Sequence, residues 1–236
     1  MKDEEYLKKY LPKEKLEDGI KKLKQGIPVQ YIVGNVNFYG NTLKVDKNVL
    51  IPRFETELLV EKTINYAKKY LKEPLKIVDL GTGSGAIAIT LKKKLNSSVD
   101  AVDISKEAIK VAKENSKLNN VEINFIHSNM LEKTNKKYDI IISNPPYIAF
   151  DEEVEEIVKN NEPHIALYAD NDGLEYYEII LKNALKHINK PGLIAFEIGM
   201  NQGKKIEKLG KRYLKTDNIK IEQDLSGKDR YVFIFL

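Results

Sequence analysis

Cysteine is absent from this chain of 236 residues, and histidine occurs only three times. The first absence removes disulfides and thiolate chemistry; the second, with His127, His164 and His187 scattered, argues against a transition-metal site and leaves these histidines with structural roles. No apolar run reaches the roughly 18 residues of a membrane-spanning helix. The start, Met1-Lys2-Asp3-Glu4-Glu5, lacks the apolar stretch of a signal peptide. A cytoplasmic protein with no membrane partner is expected. Strong charge bias is also missing. The net charge is +4, with 15 Lys and Arg against 11 Asp and Glu in residues 1–75, and 24 against 24 in the remainder. A nucleic-acid binder concentrates basic residues on one face, so no direct nucleic-acid substrate is expected. The runs Lys92-Lys93-Lys94 and Lys136-Lys137 read as solvated helix or loop ends.

What is present is a globular composition, 42% hydrophobic and 31% charged, with length for one ordinary domain and a small accessory piece. The organisation changes near residue 75. Residues 3–25 suit one or two short helices interrupted at Leu11-Pro12, and residues 38–45 suit a β-hairpin around Gly40-Asn41. An amphipathic helix follows over Glu55 to Leu71. Beyond it, strand patterns at 76–80, 98–102, 121–126, 138–143 and 192–198 alternate with helix patterns at 84–94, 105–118, 151–159, 173–188 and 202–214. Such alternation predicts an α/β fold with a mostly parallel sheet covered on both faces. The last two strands, 218–222 and 230–236, have only a short loop between them and should pair as an antiparallel hairpin. The chain thus divides into an N-terminal segment, 1–74, and a main domain, 75–236.

Two motifs carry chemistry. Asp79-Leu80-Gly81-Thr82-Gly83-Ser84-Gly85 links the first core strand to a helix. Glycines there allow a tight turn and close ligand approach, and the helix start offers free N–H groups. The next strand ends on Asp103, 22 residues after Gly81, where a carboxylate can bind a ribose diol. The second motif, Asn144-Pro145-Pro146-Tyr147, ends the strand Tyr138 to Ser143. The Asn side-chain oxygen and the Pro145 carbonyl are acceptors, the Tyr ring offers a flat apolar face, and Pro146 stiffens its predecessor. Together they suit a planar NH2 group.

The spacing G-x-G-x-G with a preceding Asp resembles the class I S-adenosylmethionine-dependent methyltransferases. That resemblance implies a seven-stranded, mostly parallel Rossmann-like sheet with an antiparallel C-terminal hairpin. It also implies S-adenosylmethionine as cofactor, held by Gly81, Thr82, Gly83, Ser84, Gly85 and Asp103, with Asn129, Met130 and Asn144 completing the site. Further segments, among them Pro28 to Gly34, Val49 to Glu57, Glu162-Pro163, Asp172-Gly173-Leu174, Glu197-Ile198-Gly199 and Asp229-Arg230, resemble the glutamine N5-methyltransferases of peptide chain release factors. The implied activity is methyl transfer to the side-chain amide of the glutamine in the Gly-Gly-Gln motif of class 1 release factors. Asn144, Pro145 and Tyr147 would be catalytic, and Asn144 to Tyr147 together would bind the substrate.

The sequence departs from the family in three places. The helical segment before Pro28 is short, Phe54 stands where Pro is usual, and Asn129 replaces a common Asp. Arg53 and Glu55 can line the substrate entrance or pair with each other. Glu197 stands out by family match alone. Two other activities use similar residues: glutamine methylation of a ribosomal protein, which goes with a different sequence after Pro52-Arg53, and adenine-N6 methylation of nucleic acid, which needs a basic recognition domain and a base-flipping pocket. A non-catalytic cofactor-binding or interaction module is a third reading. It is disfavoured by the intact Gly loop, Asp103 and Asn144.

Overall fold

The computed structural model describes residues 3–236. Helices α1 (Asp3–Tyr10), α2 (Leu16–Lys24) and α3 (Val29–Val33) touch one another, with Pro12 ending the first and Gly34 at φ 80 closing the third. Strands β1 (Asn35–Phe38) and β2 (Asn41–Lys44) pair antiparallel across a Tyr39-Gly40 turn in which both residues have positive φ. Helix α4 (Phe54–Tyr70) leads into the main sheet.

That sheet contains β3 (Leu75–Leu80), β4 (Ser97–Asp103), β5 (Asn124–His127), β6 (Tyr138–Ser143), β7 (Ile188–Glu197), β8 (Ile219–Gln223) and β9 (Asp229–Phe235). Its order is β5-β4-β3-β6-β7-β9-β8. The first five strands run parallel, and β9 is antiparallel to both β7 and β8, as the alternation and the short last loop require. Helices α5 (Ala86–Lys94), α6 (Lys106–Leu118), α7 (Glu156–Asn161), α9 (Glu175–His187) and α10 (Gly203–Leu214), with the short left-handed turn α8 (Asp170–Gly173), complete the chain.

The central strands are buried on both faces and so are nearly continuous apolar runs. On one face Leu59, Val60 and Ile64 of α4 and Ile87, Ile89 and Leu91 of α5 pack on Ile77, Ile140 and Ile142, with Phe38 and Leu43 of the hairpin in the same cluster. On the other, Tyr177, Ile180 and Leu181 of α9 and Ile206 of α10 pack on Val78, Ile141 and Ile194.

Three elements differ from the sequence reading. Strand β7 starts at Ile188 instead of residue 192, since Ile188 already pairs with Tyr138 of β6. Residues 151–155 are not helical and α7 starts only at Glu156, because Ile148 pairs with Leu167 to Ala169 and folds the intervening chain back. The fifth strand starts at Asn124 instead of residue 121, since Val121 N–H still bonds the helical Ser116 carbonyl and Asn120 has φ 54. Among the described residues no helix is long and apolar enough to cross a membrane.

Candidate active site

The chain order of the sheet reverses between β3 and β6, and the ends of these two strands are level. Leu80 faces Ser143 in register, and the Ser143 hydroxyl donates to the Leu80 carbonyl at 2.6 Å. Both motifs therefore open side by side at the crevice where open α/β sheets bind ligands. A cleft lies there. Its wall includes Gly81 to Ser84, Asp103, Asn129, Met130, Asn144 and Pro146.

The Gly loop is shaped for close approach. Gly81 and Gly83 have φ of 70 and 53, and a Cβ on either would point into open space. Strain, not crowding, excludes side chains here, and the open side faces the cleft. Asp103 braces the loop from below: Gly83 N–H donates to one carboxylate oxygen at 2.9 Å and Ser105 N–H to the other at 2.8 Å. Burial raises its pKa, against these backbone bonds. A carboxylate has about four acceptor positions, so the backbone bonds leave capacity for a diol. Gly85 is outside the cleft wall. It starts α5 at φ 84, where an added Cβ would come within 3.3 Å of Ala112. Its smallness packs α5 on α6.

Asp79 is fully buried. One of its oxygens accepts from Thr82 Oγ1 at 2.6 Å and Ala88 N at 3.2 Å, while the other has no partner among the described residues. Burial pushes its carboxyl up to about 7. An orphaned carboxylate oxygen beneath a glycine cradle, with a second carboxylate nearby, fits a ligand that carries an ammonium group and a ribose.

On the β6 side, Asn144 Nδ2 donates to Thr56 Oγ1 at 3.1 Å, and Thr56 Oγ1 donates to Glu197 Oε2 at 2.6 Å. Asn144 Oδ1 accepts from no described residue. Pro145 is buried and outside the cleft wall, and Pro146 lines it. The Tyr147 ring packs against the core cluster beside α9, where burial pushes its hydroxyl up to about 12. The backbone behind it is fixed by Gln202, whose Nε2 donates to the Tyr147 carbonyl at 2.9 Å and whose Oε1 accepts from Gly199 N–H at 2.9 Å. Gly173 fits against the same carbonyl. A Cβ there would stand 2.1 Å from it. The Asp172-Gly173 and Gly199 signatures thus hold the tetrapeptide in place.

Asn129 and Met130 both line the cleft. Asn129 uses its Nδ2 on Glu132 at 3.0 Å, leaving its oxygen free of protein partners among the described residues. Met130 is buried at φ 43, a strained backbone for a long side chain. Arg53 does not pair with Glu55. It reaches Glu162 at 2.5 Å, and Glu162 also accepts from Ile51 N–H at 3.0 Å. That pair ties the linker before α4, which lines one side of the cleft through Val49, Leu50 and Pro52, to the segment that lines the other through Pro163, Ile165 and Ala166. Each histidine bonds a backbone carbonyl, of Ile104, Lys159 and Lys136 respectively, and none lines the cleft.

Sequence reasoning missed Thr56, Tyr176, Pro163, Ile165 and Ala166 as cleft residues. For Thr56 the signal was its place in Glu55-Thr56-Glu57, but nothing local shows that it faces a strand end 88 residues away.

The family model of the methyltransferase small domain matches residues 54–165, which hold both motifs. Fold and cleft together define the class: a Rossmann-like, S-adenosylmethionine-dependent methyltransferase. The release factor glutamine methyltransferase of Lactococcus lactis is 46% identical over 217 residues, covering 91% of this chain and 79% of the relative. That of Streptococcus pneumoniae is 42% identical, covering 94% and 80%. A solved structure, the release factor-specific protein-(glutamine-N5) methyltransferase of Alicyclobacillus acidocaldarius, aligns with a TM-score of 0.50 at 25% identity, covering 81% of this chain and 97% of that one. The chain belongs to the release factor glutamine methyltransferase family.

Proposed function

We propose that this protein transfers a methyl group to the side-chain amide nitrogen of the Gly-Gly-Gln glutamine in class 1 peptide chain release factors, in the cytoplasm and without a nucleic-acid substrate. One observation carries the reading. The Asn144 amide is held through its nitrogen, which leaves its oxygen without a partner among the described residues, and Asn144 lines the cleft that the glycine loop also lines.

An amide nitrogen is a poor nucleophile because its lone pair is delocalised into the carbonyl, the resonance behind a rotation barrier of about 18–20 kcal/mol. Bound S-adenosylmethionine supplies a methyl already activated on a sulfonium. Gly81 to Ser84 and Asp79 would receive its amino-acid end, Asp103 its ribose, and Asn129 and Met130 its adenine. Asn144 Oδ1 and the Pro145 carbonyl would each accept one hydrogen of the substrate amide. They thereby orient the nitrogen and stabilise positive charge as it pyramidalises, and the surplus proton leaves the nitrogen after the methyl has transferred. Pro146 and Tyr147 would bound the substrate's apolar side. Residues 75–236 form the catalytic domain in this reading, and residues 1–74 are accessory, with α4 contributing Thr56 to the site.

Transfer of labelled methyl to a purified class 1 release factor tests the proposal, beside a variant factor without the glutamine and adenine-containing oligonucleotides. Label that appears on the factor and vanishes in the variant supports it; label on the oligonucleotides refutes it.

Asp103→Ala should weaken S-adenosylmethionine binding roughly tenfold to a hundredfold, the effect of losing hydrogen bonds to a charged acceptor worth about 1.5–3 kcal/mol. Calorimetric titration of the folded variant decides this, and unchanged affinity would place the ribose elsewhere. Tyr147→Ala should slow methyl transfer, and Tyr147→Phe much less, if the ring face and not the hydroxyl meets the substrate. Single-turnover rates of the two variants separate these roles.

A further inference from the structure

Thr56 lines the cleft and Glu197 stands behind it, and the mechanism above gives neither a chemical task. Both are buried, at 5% and 2% exposure. Thr56 lies in the first turn of α4 and Glu197 at the end of β7; the two bond each other, and Thr56 alone reaches the Asn144 amide. A neutral side-chain amide can be turned end for end at little steric cost, since its oxygen and nitrogen are nearly the same size. Its polarity then reverses. With the nitrogen in the cleft, a donor would face the donors of the substrate NH2 group and no clamp would exist.

We propose that Thr56 and Glu197 are positioning residues that polarise the clamp: the Glu197 carboxylate compels the Thr56 hydroxyl to donate to it, Thr56 Oγ1 is left able only to accept, and the Asn144 nitrogen must therefore turn inward and its oxygen toward the substrate. The inference rests on the reading of Asn144 as the amide clamp. An ionised carboxylate accepts and cannot donate, so the direction of the chain is set at the Glu197 end. A protonated Glu197 can donate instead, the hydroxyl is then free to donate to Asn144, and the amide can turn its nitrogen outward.

Glu197 titrates in a range where this matters, because burial pushes its carboxyl up to about 7 against the lowering influence of the Thr56 bond. The charged or titratable groups facing it are Arg53 and Glu55 at the start of α4, Arg230 and Tyr231 on β9, Tyr147 after β6, and Tyr177 on α9. Both arginines favour the ionised form and Glu55 opposes it. The ionised form is the active one, so the rate should rise with pH, passing half its plateau near 7 and about a tenth of it one unit lower. Asp79 titrates in the same range, so loss of the limb in Glu197→Gln is what assigns it to Glu197.

Stability should move the other way. The carboxyl is raised in the folded protein above its unfolded value, so its contribution is full below the unfolded value and is lost as pH rises through about 7. Glu197→Gln, which removes the buried charge, should therefore raise the melting temperature at pH 8 while it slows methyl transfer. A purely structural role for Glu197 would move both downward.

The test is single-turnover methyl transfer to a release factor at saturating S-adenosylmethionine, across pH 6 to 8.5. Thr56→Val should lose roughly tenfold to a hundredfold in rate, the scale of a misplaced reacting group, with little change in KM for the factor, and Thr56→Ser should recover most of it. Glu197→Gln should be slower and should lose the rise near pH 7. Near-wild-type rate in Thr56→Val, or an unchanged pH limb in Glu197→Gln, overturns the relay while leaving the clamp in place. Full activity in Asn144→Ala would remove the clamp itself, and the relay with it. If Thr56→Val does not fold, Thr56→Ser and the Glu197→Gln profile still decide.

Discussion

Asn144→Ala should lower kcat by about 10² to 10³ with a much smaller effect on cofactor affinity, the usual consequence of removing one preorganised partner of the transition state. The asymmetry follows from geometry. The cofactor loop is built on Gly81, Gly83 and Asp103 at the ends of β3 and β4, and its hydrogen bonds do not pass through Asn144. The amide of Asn144 bonds only Thr56 among the described residues, through its nitrogen. Truncation thus removes the acceptor at the reacting centre and leaves the glycine cradle intact. Single-turnover rates beside calorimetric titration of S-adenosylmethionine check both halves. Near-normal methyl transfer by a folded Asn144→Ala protein would refute the assignment of the clamp.

Arg53→Ala should be the most damaging change outside the two motifs. Glu162 is 2% exposed and keeps, once the guanidinium is gone, only the Ile51 N–H as a partner. Breaking a fully buried pair destabilises by about 3–5 kcal/mol. Arg53 is about one-third exposed, so solvent screening reduces the expected loss to roughly 2–3 kcal/mol. For a chain of this length that is a fall in melting temperature of roughly 4–12 °C. Because the pair joins the two rims of the cleft, activity should fall as well. Deleting residues 1–24 should cost less activity than this single substitution, provided the truncated chain folds. The double variant Arg53→Ala, Glu162→Gln should regain part of the stability, since it no longer buries an unpaired charge. Thermal unfolding of the three variants, with kcat/KM on an intact release factor and on a short Gly-Gly-Gln peptide, tests this. Activity lost on the factor but kept on the peptide after truncation would make the N-terminal helices the docking surface.

The local grammar of the chain was legible where each residue's own neighbours decide the outcome. Glycines at Gly81 and Gly83 mark a left-handed turn because few other residues adopt one cheaply. Strand β6 could be bounded from Tyr138 to Ser143 because a prolonged apolar run ends at two prolines. Long-range competition defeated the helix expected at 151–159, where backbone pairing of Ile148 with residues 167–169 folds the acidic segment back.

By itself the sequence determined the order of strands and helices, the glycine cradle with Asp103, and the Asn-Pro-Pro-Tyr turn, for these depend on backbone freedom and periodicity within a few residues. Only the tertiary structure decided which distant polar groups meet. Arg53 finds Glu162, 109 residues on, in place of its neighbour Glu55, and Thr56 finds Asn144 and Glu197, 88 and 141 residues on. The physical reason is that a buried polar group must be paired wherever the docking of strands and helices leaves it, and that docking is set by the summed burial of the apolar core, to which no single polar residue contributes a readable local signal.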